Sequence, residues 1–184
     1  LERYSKGRNV LNMFCYTGGF SFYAMRGGAN LVHSVDSSAK AIDLTNMNVE
    51  LNFPGDSRHQ AYAEDAFKYL DRMGDQYDLI ILDPPAFTKS RQATKNAIKG
   101  YREINMKGLK LVKDGGYLAT CSCSHFMTQE LLAKTVKEAA KAAHKRLRQV
   151  EFRTQAPDHP ILWANSANVP ESYYLKFYIF QVVE

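Results

Sequence analysis

Five short stretches place groups capable of chemistry where apolar runs give out. Tyr16-Thr17-Gly18-Gly19 follows the run that ends at Phe14. A glycine turn feeding a helix lets the backbone approach a ligand and aims unpaired N–H groups at it. Asp36, in SVDSS beside Ser37, comes about 20 residues later, the spacing at which a carboxylate binds both hydroxyls of an adenosine ribose. Asp65, in AEDAF, is placed to accept from an adenine amino group while the Ala66 N–H donates to a ring nitrogen. Each acid also has a plain reading, as the N-cap of the helix that follows it. Asp83 opens ILDPPAF, where two prolines fix φ and force a rigid, extended exit from a buried strand. A carboxylate there stands at the floor of a cleft beside a bound cofactor, or simply ends in a rigid turn. Cys121, in TCSCS, closes the series. Because G-x-G-x-x-G is missing, the first turn gains meaning only from the acids downstream.

The elements that would position these groups alternate. Strands are predicted over 10–14, 31–35, 59–63, 77–82, 117–121, 150–154 and 173–183. Helices are predicted over 20–26, from a Ser38 cap to about 51 with Ile42, Leu44 and Val49 inward, over 66–72, to 112 after a polar stretch, and from a Thr128 cap to about 147. Asp114-Gly115-Gly116 reads as a turn. Fully apolar strands alternating with helices imply an α/β fold, a Rossmann-like, seven-stranded sheet. It would be mostly parallel with an antiparallel last strand, because no long helix separates the final two. Ligands bind such sheets at the carboxyl ends of the strands.

Composition constrains the class. The 184 residues are 45% hydrophobic and 23% charged, as in an ordinary globular domain, and no apolar run is long enough to span a membrane. One domain over 1–184 is expected, the catalytic part of a longer protein. The net charge of +5 permits a nucleic-acid partner without requiring one. Three cysteines without framework spacing argue for a reducing, cytoplasmic location and against disulfides or a metal site.

Taken together, the segment from Asn12 to Gly19, Asp36, Asp65 and DPPAF resemble the class I S-adenosylmethionine-dependent methyltransferases. More narrowly, FCYTGGF, LDPPAF, TCSCSH, Asp158-His159-Pro160 and PESYYLK resemble the bacterial 23S ribosomal RNA (cytosine-5) methyltransferases of the large-subunit methyltransferase I (RlmI-like) group. The resemblance implies S-adenosyl-L-methionine as cofactor, held by Phe14, Tyr16, Thr17, Gly18, Asp36, Ser37, Asp65, Ala66 and Asp83. It implies ribosomal RNA as partner, no metal, no membrane, and leaves a homodimer open. Two departures stand out: Asn12 where many relatives carry an acid, and Ala86 where other RNA cytosine-5 methyltransferases carry a second cysteine.

Carbon-5 of cytosine needs activation, which a thiolate supplies by adding to carbon-6. The TCS resemblance assigns this to Cys121, with Asp83 holding the base. Cys123 lies two residues on and is the alternative. Lys89, Arg91 and Lys95 are expected on phosphates, and Phe87 under a flipped base. Tyr101, His125 and Trp163 are further aromatic candidates, and His125 and His159 candidate bases. Two other functions stay open. An exocyclic-amine methyltransferase would use the DPP-aromatic segment without a thiol, and a non-catalytic cofactor- or RNA-binding module would need no nucleophile.

Overall fold

The computed structural model describes residues 1–74, 76–87, 93–163 and 169–183. Seven strands form one sheet: β1 (Asn9–Met13), β2 (Leu31–Asp36), β3 (His59–Ala63), β4 (Tyr77–Leu82), β5 (Val112–Ser122), β6 (Arg146–Arg153) and β7 (Lys176–Val183). Their order is β3-β2-β1-β4-β5-β7-β6. All neighbours from β3 to β5 run parallel, and β7 alone is reversed, antiparallel to both β5 and β6. The order reverses between β1 and β4, which sets the ligand side of the sheet at the carboxyl ends near those two strands.

Alternation along the strands sends neighbouring residues into two cores. Val10, Val32, Leu79, Ile81 and Ala119 face α1 (Gly19–Arg26) and α2 (Ala39–Asn52). Leu11, Met13, Val35, Ile80, Leu82 and Leu118 face α3 (Ala66–Arg72), α4 (Thr94–Leu111) and α5 (Gln129–Ala142). With helices on both faces, the central strands bury both sets, which is why their sequences are apolar throughout.

The structure departs from the sequence pattern in several places. α5 stops at Ala142, because His144 takes φ 56° while Lys145 N–H donates to Ala140 O, an αL stop of Schellman type. Leu147 therefore lies in β6, not on the helix stripe. Asp114-Gly115-Gly116 is not a turn but an irregular part of β5, whose register with β4 shifts between Tyr77 and Leu79. A Cβ on Gly116 would lie 2.7 Å from Asp78 O, so only glycine lets the two backbones come this close. Leu44, expected inward, is 37% exposed, whereas Ile42 and Val49 are buried.

Candidate active site at the carboxyl ends of the strands

Beyond β1 the chain makes a tightly wound turn. Phe14 (φ 58°) and Tyr16 (φ 49°) are left-handed, and Gly18 follows at φ 91°. Such conformations cost on the order of 1–3 kcal/mol each in a non-glycine residue and persist only where neighbours enforce them. α2 does so: Thr45 Oγ1 donates to Tyr16 O at 2.9 Å, and Asn48 Nδ2 donates to Thr17 O at 3.2 Å. A Cβ on Gly18 would stand 2.9 Å from both Phe22 and Thr45. α1 then begins with no side chain capping its first turn, leaving N–H groups to face the cleft.

Asp36 is fixed by main chain. Its Oδ2 accepts from Tyr16 N at 3.0 Å and its Oδ1 from Ser38 N at 2.9 Å. It does not cap α2, since Ser38 does, accepting from Ala41 N. Asp65 is a cap, accepting from Lys68 N at 3.0 Å at the head of α3, with Ala66 buried behind it and Asp65 itself exposed. Ser37 is exposed. Asn12 lies wholly inside the core. Its Nδ2 donates to Ser21 Oγ, which meets Ser34 Oγ at 2.6 Å, which meets His59 Nε2 at 2.7 Å. Burial pushes His59 down to about 4, with the nearby His33 adding to the effect.

Leu82 pairs with Thr120, so Asp83 leaves β4 beside Cys121, while β5 runs on to Ser122. Burial raises the Asp83 carboxyl above its ordinary range. Cys121 is only 1% exposed and belongs to β5, opposite Phe177 of β7. Burial, then the Asp83 charge, then the Cys123 charge all push its thiol well up, so it is held as a neutral, packed group. Cys123, one residue past the strand, is exposed. This separates the two thiols by environment, and it is Cys123 rather than the expected Cys121 that stands open to a ligand.

Three side chains gather around the β5 exit. Ser122 Oγ donates to Tyr101 Oη at 2.9 Å, and Tyr101, fully buried on α4, is pushed up to about 12, first by burial, with the charges of Cys123 and Asp83 adding to it. Lys176, opposite Ser122 in the β5–β7 register, is 1% exposed. Its ammonium donates to Ser124 O at 2.6 Å and Tyr174 O at 2.7 Å. Tyr101, a stacking candidate from the sequence, is instead buried beneath the exit; Lys176 carried no role there, and a lysine opening an otherwise apolar strand was the available signal.

The expected RNA contacts divide. Lys89 and Arg91 lie outside the described residues, and Lys95 is exposed in the first turn of α4. Phe87 packs inward, edge-on to Tyr101 at 4.9 Å and against Gly100, so its ring closes the core rather than standing free for a base. Trp163 is 76% exposed. His125 is exposed with Nδ1 3.4 Å from Tyr173 O, and His159 pairs with Asp158.

Comparison with known proteins meets this geometry. A family model of S-adenosylmethionine-dependent methyltransferases matches residues 1–166. Proteins named ribosomal RNA large subunit methyltransferase I are 44% identical over 177 residues in Aeromonas hydrophila subsp. hydrophila and 40% identical over 186 residues in Escherichia coli. Those matches cover 95% and 99% of this chain but 44% and 46% of the relatives, so the chain spans a little under half their length. Among solved structures, SMU.776 complexed with SAH superposes with a TM-score of 0.80 at 26% identity, over 97% of this chain and 46% of that one. Trm5b from Pyrococcus abyssi shares the fold with a TM-score of 0.68 at 18% identity, over 97% of this chain and 45% of that one. The glycine turn, the acids at successive strand ends and a family match over most of the sheet lead to one conclusion: the chain belongs to the S-adenosylmethionine-dependent methyltransferase family, and S-adenosylmethionine is its cofactor.

Proposed function

We propose that the chain methylates carbon-5 of a cytosine in ribosomal RNA through a covalent cysteine adduct, and that the thiol is Cys123. The supporting observation is the contrast at the β5 exit: a sealed thiol at Cys121 and an exposed one at Cys123, next to the strand end that carries Asp83. The names of the relatives support ribosomal RNA as substrate, and with it a cytoplasmic place of action.

The cofactor fits the β1–β2–β3 end. The turn of Phe14, Tyr16, Thr17 and Gly18 with the uncapped start of α1 would hold its amino-acid end, Asp36 with Ser37 its ribose, and Asp65 with the Ala66 N–H its adenine. Asn12 is buried, with its Nδ2 given to Ser21 and its Oδ1 without a partner among the described residues, and it brings no charge to this cradle. When bound, S-adenosylmethionine supplies an electrophilic methyl group on a sulfonium sulfur.

The residues of the chain do the rest. Asp83, whose carboxyl burial pushes upward, would in its protonated form donate to cytosine N3 and accept from the exocyclic amine, withdrawing electrons from the ring. Cys123 thiolate adds to carbon-6, and the displaced electron pair makes carbon-5 the nucleophile for methyl transfer. Loss of the carbon-5 proton to a base then re-forms the 5,6 double bond and expels the thiolate. Lys95, with Lys89 and Arg91 of the same basic segment, would meet RNA phosphates.

A trap tests the whole reading. RNA containing 5-fluorocytosine cannot lose a proton from carbon-5, so the adduct should persist as a protein–RNA band in denaturing gels. We expect that band with wild type and Cys121→Ser, and none with Cys123→Ser. A band lost only in Cys121→Ser would return the role to that residue. Methyl transfer with no adduct in any form would favour methylation of an exocyclic amine.

A further inference from the structure

A lysine ammonium is almost never taken wholly out of water unless something at the site uses it. Lys176 opens β7, yet it is buried, with two of its three donors spent on the main-chain carbonyls of Ser124 and Tyr174. Those carbonyls belong to the two segments that flank Cys123 and lead into β7. An ammonium spanning them fixes the loop that presents the thiol, but two backbone carbonyls carry no net charge to balance it. The groups around it are few. Cys123 comes from the β5 exit and Tyr173 from the segment before β7. His125 and Glu130 join Tyr173 and Lys176 around an adjoining cavity of about 420 Å³. Of these, Cys123 is the group whose charge acts directly on Lys176, favouring its protonated form against the desolvation that opposes it.

We infer that Lys176 is a positioning residue for methyl transfer, the internal cation that holds the Cys123 segment in place and stabilises the thiolate that Cys123 becomes. The inference rests on the reading of Cys123 as nucleophile, but its test does not. Burial leaves Lys176 titrating near 8, far below an ordinary lysine. The cation is therefore present below about pH 8 and is lost above it. Above that pH the thiolate has no cation beside it, so the rate of methylation should fall as Lys176 deprotonates.

Two measurements decide it. The first is the rate of Cys123 alkylation by iodoacetamide at pH 7, read by peptide mass analysis so that Cys15 and Cys121 do not contribute. Lys176→Met should slow it by about tenfold or more, the effect of removing an opposite charge at close range. Lys176→Gln keeps an N–H donor for the carbonyls without the charge and should be slowed as well. If the glutamine variant alkylates like wild type, the lysine is a structural brace and the charge role fails. The second uses a variant at an exposed position and needs no change at the buried site. In Cys123→Ser the Lys176 titration, followed by side-chain NMR, should move to lower pH by about one unit, since coupled charges shift each other. An unmoved midpoint overturns the proposal. Retained methylation by Cys123→Ser would instead sink the nucleophile reading and leave the coupling result standing.

Discussion

The β1–β2–β3 end and the β4–β5–β7 end of this cleft are assembled by different means. At the first, main chain does the holding: left-handed residues curl the turn, and each oxygen of Asp36 is already bonded to a backbone N–H. At the second, side chains do it, through burial: Asp83, Tyr101 and Lys176 all have their proton affinities displaced by loss of water. A donor pocket needs shape, which backbone supplies cheaply. A reacting centre needs groups whose charge is unsettled, and partial desolvation creates that. Damage at the first end should appear in binding, and damage at the second in turnover.

The sharpest way to break this contrast is to compare the two thiols in single-turnover assays. Cys123→Ala should lose at least about 10³-fold in methyl transfer, in line with deletion of a nucleophile, with cofactor affinity unchanged. Cys121→Ala should stay within about threefold in rate and lose about 1 kcal/mol of stability, as a packing residue would. Asp83→Asn should cost about 10²–10³-fold in the chemical step through lost proton transfer, again with cofactor binding nearly intact by calorimetry. A cofactor affinity that falls in parallel with rate would blur the division.

Acid should act beneath the first end, where His59 stands at the amino end of β3. The His59 pKa is lowered on folding, so between about 6.5 and about 4 the unfolded chain binds a proton that the folded chain refuses. Stability, read from urea midpoints, should therefore fall as pH drops through that window, by up to about 3 kcal/mol. A His59→Gln variant should flatten the slope. Gly18→Ala forces a Cβ into Phe22 and Thr45 at positive φ. It should cost about 1–3 kcal/mol and weaken S-adenosylmethionine binding about tenfold or more, while a cofactor-saturated turnover rate changes less.

Much of the first end was legible in the chain because its logic is local. A glycine turn, and an acid at the end of the next strand, sit in runs that sequence periodicity alone delimits, and DPP marks its own strand end. At the second end that DPP and its Asp83 were legible, but the arrangement around them was not, because it is made across the sheet. Ending the fifth strand at Cys121 made that thiol the terminal group; β5 in fact continues to Ser122, which leaves Cys121 inside the layer and moves the exit to Cys123. Tyr101 and Lys176 reach the site only through the packing of α4 and the insertion of β7 between β5 and β6, neither of which any nearby residue announces.

That insertion has a temporal corollary. β7 follows the other six strands in sequence, yet it must slot into an interior position between β5 and β6, pairing Phe177 with a residue as distant as Cys121. Long-range pairing of this kind is slow. The turn after β1 and its bonds to Asp36 therefore close among strands near in sequence, while the surroundings of Cys123 and Lys176 wait for the most distant pairing to form.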